Sequence, residues 1–325
     1  MKQTSYAAAI VDALRISLAE DPRVSLVGSY VLGLGPERVL MDSIRAEFAD
    51  RIYDPPTSEA AIVSVGAGAA MAGARPFVDI GTASFSYVGW SPLVNEAAVA
   101  RHMSGGQLRV PVVYHMLHGL RGGGAAQHSH SPQAMLWNAA GLEIVVPSSP
   151  YDVKGLLRTA IKSDNPTVFI DHARLMDIEG PVPEGDYSVP FGRADIKRPG
   201  RDVTVVATSY VVHAALAAAE RLAAEGIEVE VVDPRTLVPL DHGTILDSVG
   251  RTGRLVVVDE TNLSCGVASE ISAIVAEEGF SLLRAPILRV ARPNVPTPFS
   301  KPLEDAITPT ADRVCAAVRK VLGRA

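Results

Sequence analysis

The chain has few cysteines, no signal pattern at its N-terminus and no apolar run long enough to cross a membrane. Only Cys265 and Cys315 occur, far apart, which argues against a disulfide framework and suits a reducing compartment. The first residues (MKQTSY) lack the basic-then-apolar pattern of a secretory signal. Residues 60–74 carry no charge, but this run is too short for a membrane span. We therefore predict a cytoplasmic protein.

The sequence has no run of basic residues. Thirty Lys and Arg residues stand against 36 Asp and Glu residues, which gives a net charge of −6 without any basic run. This balance argues against nucleic acid or an anionic membrane as the main partner. An apolar fraction of 47% and a charged fraction of 20% are typical of a soluble globular protein. The length of 325 residues predicts two domains, each with its own core.

Short β-branched runs alternate with helical patterns, which predicts parallel sheets covered by helices on both faces. In the first half we predict strands at 25–28, 77–80, 110–116, 143–146 and 167–171, and helices at about 5–20, 36–48, 59–73, 92–104 and 150–163. Residues 177–200, rich in Pro and Gly, predict a linker with one or two strands. In the second half we predict strands at 203–207, 228–233, 255–259 and 287–290, and helices at 211–225, 266–278 and about 310–322.

The segment 54–59 (DPPTSE) and the uncharged run 60–74 form the most informative part of the chain. Two prolines, a Thr-Ser pair and Glu59 are a typical helix start, in which Glu59 only favours the first turn. A carboxyl group at the mouth of an apolar helix has a second use, because burial favours its protonated form, which can donate a hydrogen bond or relay a proton. The pattern leaves both roles open. It also predicts that this helix is tightly packed and buried.

Five of the eight histidines lie within a stretch of 29 residues. The pairs His115-x-x-His118 and His128-x-His130 have spacings that metals use, but no Cys lies nearby and no His-Glu-x-x-His frame is present. We therefore predict no metal site. Residues 119–130 (GLRGGGAAQHSH) predict a flexible loop that delivers histidines to a ligand. No Lys-Ser/Thr pair follows the glycines, which excludes a P-loop.

Short motifs run in collinear order through nearly the whole chain. They are DPPTSE (54–59), GAAMAGARP (68–76), MSGGQ (103–107), QHS (127–129), PSSPYD (147–152), DPRTL (233–237), PLD (239–241), DE (259–260), CGV (265–267) and LE (303–304). In this order they resemble the β subunit of thiamine-diphosphate-dependent 2-oxo acid dehydrogenase E1 components, of the pyruvate, branched-chain and acetoin type. The resemblance implies two three-layer α/β/α domains of the transketolase-like superfamily. The first is a thiamine pyrimidine-binding domain at 1–180, and the second is a transketolase C-terminal-like domain at 201–325. A linker at 181–200 joins them.

The resemblance also implies roles for three residues of the first domain. Glu59 matches a glutamate that hydrogen-bonds N1′ of the thiamine aminopyrimidine and so promotes removal of the C2 proton of the thiazolium. Phe85 matches an aromatic residue placed against the aminopyrimidine, and a core phenylalanine is the alternative. Thr57, where the family has an aliphatic residue, is assigned to cofactor binding with them.

Histidines are implied at the substrate end of the cofactor. His128 matches a histidine that acts as a general acid or base, or orients a lipoyl group or another acceptor. A satisfied loop histidine is the alternative. His130, where the family usually has Gln, and His115, where it has Arg, are implied as further substrate or acceptor residues.

Several positions depart from the family pattern. An acidic residue is lost at Ser29-Tyr30, Ser91-Pro92 replaces an Asp-Gln pair, and Asn138 replaces a histidine. These departures keep an alternative reaction open, in which a thiamine-dependent carboligase or a ketol or acyl transferase serves a specialised biosynthetic pathway. A third possibility is a degenerate subunit that holds an active partner without touching cofactor, and Glu59 argues against it.

A missing motif predicts the partner. The family holds Mg²⁺ and the diphosphate with a Gly-Asp-Gly run followed by Asn, and this sequence has no such run. The resemblance therefore implies that an α subunit holds the Mg²⁺ and the diphosphate of a shared thiamine diphosphate, in an α2β2 heterotetramer. The chain alone is expected to be inactive. The leading hypothesis is a 2-oxo acid decarboxylating dehydrogenase subunit that passes the acyl group to a lipoyl carrier, with a lipoyl acyltransferase core as a further partner.

Overall fold

The structure, a computed structural model, describes residues 1–28 and 38–324, without the side chains of residues 38 and 39. The described chain divides into two compact units. The first unit comprises Met1–His118 and Met135–Phe191, and the second comprises Gly119–Ala134 and Gly192–Ala325. The domain bounds 1–180 and 201–325 stay a prediction, but the transfer of Gly119–Ala134 to the second unit is a feature that no sequence pattern indicated.

Strands and helices alternate along most of the chain. The strands are β1 (Lys2–Ser5), β2 (Val24–Val27), β3 (Ile52–Tyr53), β4 (Arg75–Thr82), β5 (Val113–His118), β6 (Glu143–Val145), β7 (Thr167–His172), β8 (Glu179–Val182), β9 (Asp195–Arg198), β10 (Val203–Ala207), β11 (Val229–Asp233), β12 (Thr236–Val238), β13 (Leu255–Asn262) and β14 (Leu288–Arg292). The α-helices are α1 (Tyr6–Glu20), α2 (Arg38–Glu47), α3 (Glu59–Met71), α4 (Ala100–Met103), α5 (Gln133–Trp137), α6 (Pro150–Lys162), α7 (Val211–Ala223), α8 (His242–Thr252), α9 (Val267–Glu278), α10 (Lys301–Ile307) and α11 (Ala311–Val321).

The first unit is built on a parallel sheet in which β6, β7, β5, β4, β2 and β3 follow one another. The central strands β5 and β7 are almost entirely buried, because helices cover parallel sheets on both faces. β1 and β8 form a separate antiparallel pair. β8 and β9 lie in the segment that the sequence predicts as a linker with one or two strands.

The second unit contains a sheet in the order β14, β13, β10, β11, β9, and only its edge strand β9 runs antiparallel to its neighbour. Valines of β10, β11 and β13 fill its core together with apolar residues of α7 and α11. Such β-branched runs favour strands because their stiff side chains pack well on a pleated sheet. The predicted fold class, two α/β domains, is confirmed.

Two helices of the second unit, α8 and α10, did not follow from the hydrophobic pattern. α8 is instead marked by its ends. The Asp241 carboxylate accepts a hydrogen bond from the Thr244 amide at 3.0 Å, and Gly253 ends the helix in the left-handed conformation with φ of 69°. The predicted helix at 92–104 is also divided, into a π-helical segment, Pro92–Ala97, and α4.

Helix α3 packs on the sheet through small residues. An added Cβ at Gly66 would lie 2.5 Å from Cγ2 of Val78, so only glycine permits this close approach. The Tyr114 hydroxyl donates to the carbonyl of Val63 at 3.2 Å and fixes the same face. No helix in the described part of the chain is long and apolar enough to cross a membrane.

Candidate functional site

Glu59 is the first residue of α3 and is half-buried. Ser58 occupies the N-cap without a side-chain capping hydrogen bond. The negative charge of a carboxylate at this end of a helix interacts favourably with the helix dipole. Among the described residues, no side chain forms a hydrogen bond or an ion pair with the Glu59 carboxyl group. This carboxyl group is therefore available to a ligand.

Phe85 lies on a segment that packs against the start of α3. It is half-buried, and its carbonyl accepts a hydrogen bond from the Gly89 amide at 3.3 Å. Gly89 in turn approaches the helix closely, because an added Cβ there would lie 2.8 Å from Cγ2 of Val63 and 3.3 Å from the carbonyl oxygen of Glu59. The fold thus brings Phe85 and Glu59 to neighbouring segments of the first unit.

The outer face of α3 is uncovered, which corrects the prediction of a buried helix. Val65 is 57% exposed, and an added Cβ at Gly68 would meet nothing within 4 Å. Val88, on the segment that carries Phe85, is 58% exposed. Thr57, just before the helix, is exposed as well. The lack of charge in α3 after Glu59 therefore has two causes: one face packs on the sheet, and the other presents small apolar residues outward.

His115 lies in the middle of β5 and is fully buried. Its Nε2 is 2.8 Å from the carboxylate of Asp171, and its Nδ1 is 3.5 Å from the carboxylate of Asp79. The Tyr6 hydroxyl also donates to Asp171, and the Gly81 amide donates to Asp79 at 2.9 Å. Because this network is enclosed in the core, His115 is not part of the substrate site that we propose below.

The network changes the protonation of His115. Burial lowers the pKa of His115, but the hydrogen bonds and negative charges of Asp171 and Asp79 outweigh burial and raise the pKa to about 9. The folded state therefore binds a proton more tightly than the unfolded state. The resulting stabilisation is fully present below the unfolded pKa of about 6.5 and is lost as the pH rises through about 9.

Replacement of Asp171 by asparagine should expose this linkage. We expect the free energy of unfolding to fall by about 3 kcal/mol near neutral pH, because a buried charge loses its partner. The loss of stability expected for the wild-type chain between about pH 6.5 and 9 should also become smaller. Urea unfolding of the full chain, followed by circular dichroism across this range, measures both effects.

The control for this experiment is Asp177→Asn, which removes an exposed carboxylate of the same unit. It should leave the stability and its dependence on pH unchanged. An Asp171→Asn variant with the wild-type dependence on pH would show that His115 does not carry the charge.

His128 and His130 lie in the second unit, on the segment 119–134, which we call the histidine loop. Both histidines are exposed, whereas Ser129 between them is fully buried. Partial desolvation, together with the positive charge of Arg292, lowers the pKa of His130, so its imidazole is neutral near pH 7.

The histidine loop is anchored rather than free, contrary to the predicted flexible loop. The Glu260 carboxylate accepts a hydrogen bond from the Leu120 amide at 2.6 Å. The Glu304 carboxylate accepts from the amides of Gly122 and Gly123 at 2.8 and 3.0 Å. Glu260 and Glu304 both stand in motifs that carry the resemblance, but no pattern along the chain connects them with a loop more than 130 residues earlier.

Two of the departures from the family pattern can be located along the chain. Ser29 and Tyr30 lie outside the described residues. Ser91 and Pro92 open the π-helical segment Pro92–Ala97. In residues 1–28 and 38–324, no group of three or more His, Cys, Asp or Glu residues is arranged to hold a metal ion.

Comparisons with known sequences match both halves of the chain. The profile of the transketolase pyrimidine-binding domain matches residues 2–177, and that of the transketolase C-terminal domain matches residues 192–314. A solved structure described as a split gene transketolase, inactive beta4 tetramer, superposes with a TM-score of 0.81 and covers 98% of each chain. At 24% identity, that likeness concerns the fold alone.

Relatives match over nearly their full length. The beta subunit of the acetoin:2,6-dichlorophenolindophenol oxidoreductase of Cupriavidus necator is 42% identical, over 99% of this chain and 98% of the relative. The 2-oxoisovalerate dehydrogenase subunit beta of Bacillus subtilis is 38% identical over 99% of both chains. The mitochondrial pyruvate dehydrogenase E1 component subunit beta of Ascaris suum is 39% identical, over 96% of this chain and 89% of the relative. The chain therefore belongs to the transketolase-like family of paired pyrimidine-binding and C-terminal domains, within the group of 2-oxo acid dehydrogenase E1 beta subunits.

Proposed function

We propose that this protein is the β subunit of a heteromeric thiamine-diphosphate-dependent enzyme that decarboxylates a 2-oxo acid and transfers the acyl group to a lipoyl carrier. Thiamine diphosphate supplies the electron sink for this chemistry when bound. The observation that carries the proposal is the carboxyl group of Glu59. It lies half-buried at the start of α3, without a partner among the described side chains and on a segment next to that of Phe85.

The residues present fit the aminopyrimidine half of the cofactor. The Glu59 carboxyl group can form a hydrogen bond with a ring nitrogen of the heterocycle and exchange a proton with it. Phe85 supplies an aromatic side chain for stacking on the heterocycle. Thr57, exposed just before α3, is the third proposed contact.

His128 is the proposed general acid or base at the acyl-transfer end. It is exposed, as a residue that meets a large acceptor must be. Either ring nitrogen of an imidazole can accept or donate a proton within hydrogen-bond reach of a reacting group. His130, neutral because of its lowered pKa, is a weaker candidate for contact with the acceptor.

A second polypeptide is part of the proposal. Val65 on α3 and Val88 on the segment of Phe85 are both exposed apolar residues, and such residues suit coverage by another chain. The sequence lacks a Gly-Asp-Gly run, so we assign Mg²⁺ and the diphosphate to an α subunit in an α2β2 assembly. A lipoyl acyltransferase core is the proposed further partner. The cytoplasm stays the proposed compartment, on the low cysteine content.

The carboligase alternative is not carried forward. The three relatives described above are oxidoreductase and dehydrogenase beta subunits that match along nearly the whole chain, which favours the dehydrogenase type.

Co-expression with a candidate α subunit tests the proposal. We expect a complex that binds thiamine diphosphate tightly in titration calorimetry, whereas the chain alone binds it weakly or not at all. The complex should release CO2 from pyruvate or from a branched-chain 2-oxo acid and acylate a lipoyl domain, and mass spectrometry identifies the product. Turnover by the chain alone, or cofactor binding by the complex without decarboxylation of any 2-oxo acid, would contradict the proposal.

A further inference from the structure

Three side chains of the second unit hold the backbone of the histidine loop. The Glu260 carboxylate accepts a hydrogen bond from the Leu120 amide, and the Glu304 carboxylate accepts hydrogen bonds from the amides of Gly122 and Gly123. Glu304 is 0% exposed and Glu260 is 2% exposed. Burial of a carboxylate is costly unless hydrogen bonds compensate the lost hydration. The amides of this loop donate some of the hydrogen bonds that compensate the burial of Glu260 and Glu304.

The conformation of the loop is matched to Glu304. Gly122 and Gly123 have φ of +78° and +106°, which residues with a side chain rarely adopt. In this conformation the amides of both residues reach the Glu304 carboxylate, one at each oxygen. Glu304 therefore binds two successive residues of the turn that leads to His128.

Arg292, at the end of β14, binds the part of the loop that carries the two histidines. Its Nη1 donates to the carbonyl of Ser129 at 2.9 Å, and its Nη2 donates to Thr297. Ser129 stands between the two exposed histidines and is itself fully buried. The guanidinium group of Arg292 therefore binds the backbone between the two exposed imidazoles.

We propose that Glu304, Glu260 and Arg292 are positioning residues for His128. Each binds the backbone of the histidine loop and leaves the imidazole exposed. A change at any of them should therefore displace the imidazole without removing it. This inference rests on the role proposed for His128, and it places the control of acyl transfer in the second unit, on β13, β14 and α10.

Amide hydrogen exchange of the full chain, measured by mass spectrometry, tests the anchoring without any cofactor. In Glu304→Ala we expect the peptide that contains Gly122 and Gly123 to exchange about tenfold faster. Glu304→Gln, which keeps one acceptor oxygen, should be intermediate and also covers the case in which the alanine variant does not fold. Asp305→Asn is the matched control, because it changes the next residue, which is exposed and paired with Lys301. Loop exchange at the wild-type rate in both Glu304 variants would overturn the proposal.

Kinetics of the assembled enzyme separate positioning from a merely structural role. Glu304→Gln should lower kcat for acyl transfer by about tenfold, since small displacements of a catalytic group are costly. The affinity for thiamine diphosphate and the KM for the 2-oxo acid should stay within about twofold of wild type. An unchanged kcat, or a loss confined to cofactor affinity or assembly, would overturn the proposal. Absence of turnover in the wild-type complex would instead count against the proposed function, and hydrogen exchange would still decide whether Glu304 holds the loop.

Discussion

Replacement of Glu59 by glutamine is expected to abolish turnover of the assembled enzyme and to leave the assembly intact. Glutamine has nearly the same size and fits the same half-buried place at the start of α3. It cannot take up and release a proton as a carboxyl group does, and loss of such a group typically lowers kcat by about 10²–10⁴-fold. The rate of CO2 release from the 2-oxo acid measures the effect, and sedimentation velocity of the complex reports the assembly.

The control for Glu59→Gln is Glu184→Gln, an exposed position of the same unit. It should have wild-type kcat. If Glu59→Gln kept more than about a tenth of the wild-type kcat, the carboxyl group would not be the proton-handling group, since general acid–base catalysis contributes more than that. In that case its place at the start of α3 would be explained by the helix dipole alone.

Replacement of His128 by alanine is expected to slow acyl transfer to a lipoyl domain by about 10²-fold. Cofactor affinity should be unchanged, because His128 is assigned to the acceptor and Glu59 and Phe85 to the aminopyrimidine. Reduction of 2,6-dichlorophenolindophenol, an artificial electron acceptor, does not need transfer to a lipoyl group and should be affected less. The ratio of the two rates is the measurement.

His102→Ala is the control for this variant, because His102 is exposed on α4 and lies outside the histidine loop. It should change neither rate. A His128→Ala variant that lost thiamine diphosphate affinity, with an unchanged ratio of the two rates, would contradict the assignment of His128 to acyl handling.

The main strands could be predicted from runs of β-branched residues, and most of the long helices from apolar residues that recur at the helical period of about 3.6 residues. The valine runs of β10, β11 and β13 fill the centre of a parallel sheet, where strands are buried on both faces. α8 was not predicted, because two of the four buried positions on its inner face are Ser248 and Thr252, which weakens the apolar pattern, and its ends are marked by an Asp cap and a left-handed glycine. The prediction for the uncharged run of α3 was wrong in one respect, since small apolar residues face outward as well as inward.

The candidate site could be predicted only in part. Glu59 and His128 were found because they stand in local motifs that resemble a known family, and Phe85 because it matches a position at which that family has an aromatic residue. His115 was included because it stands where the family has Arg, and pairing of β5 with β4 and β7 buries it between Asp79 and Asp171. Such a placement depends on strand order, which a local pattern does not contain.

The sequence by itself determined the family, the α/β class of both units and the carboxyl group at the start of α3, because these depend on residues close together in the chain. Only the tertiary structure decided that the histidine loop belongs to the second unit and that Glu260, Glu304 and Arg292 hold it. These hydrogen bonds join residues more than 130 positions apart. They form because folding brings β13, β14 and α10 to the loop, and buried charges then bind the backbone groups that they meet.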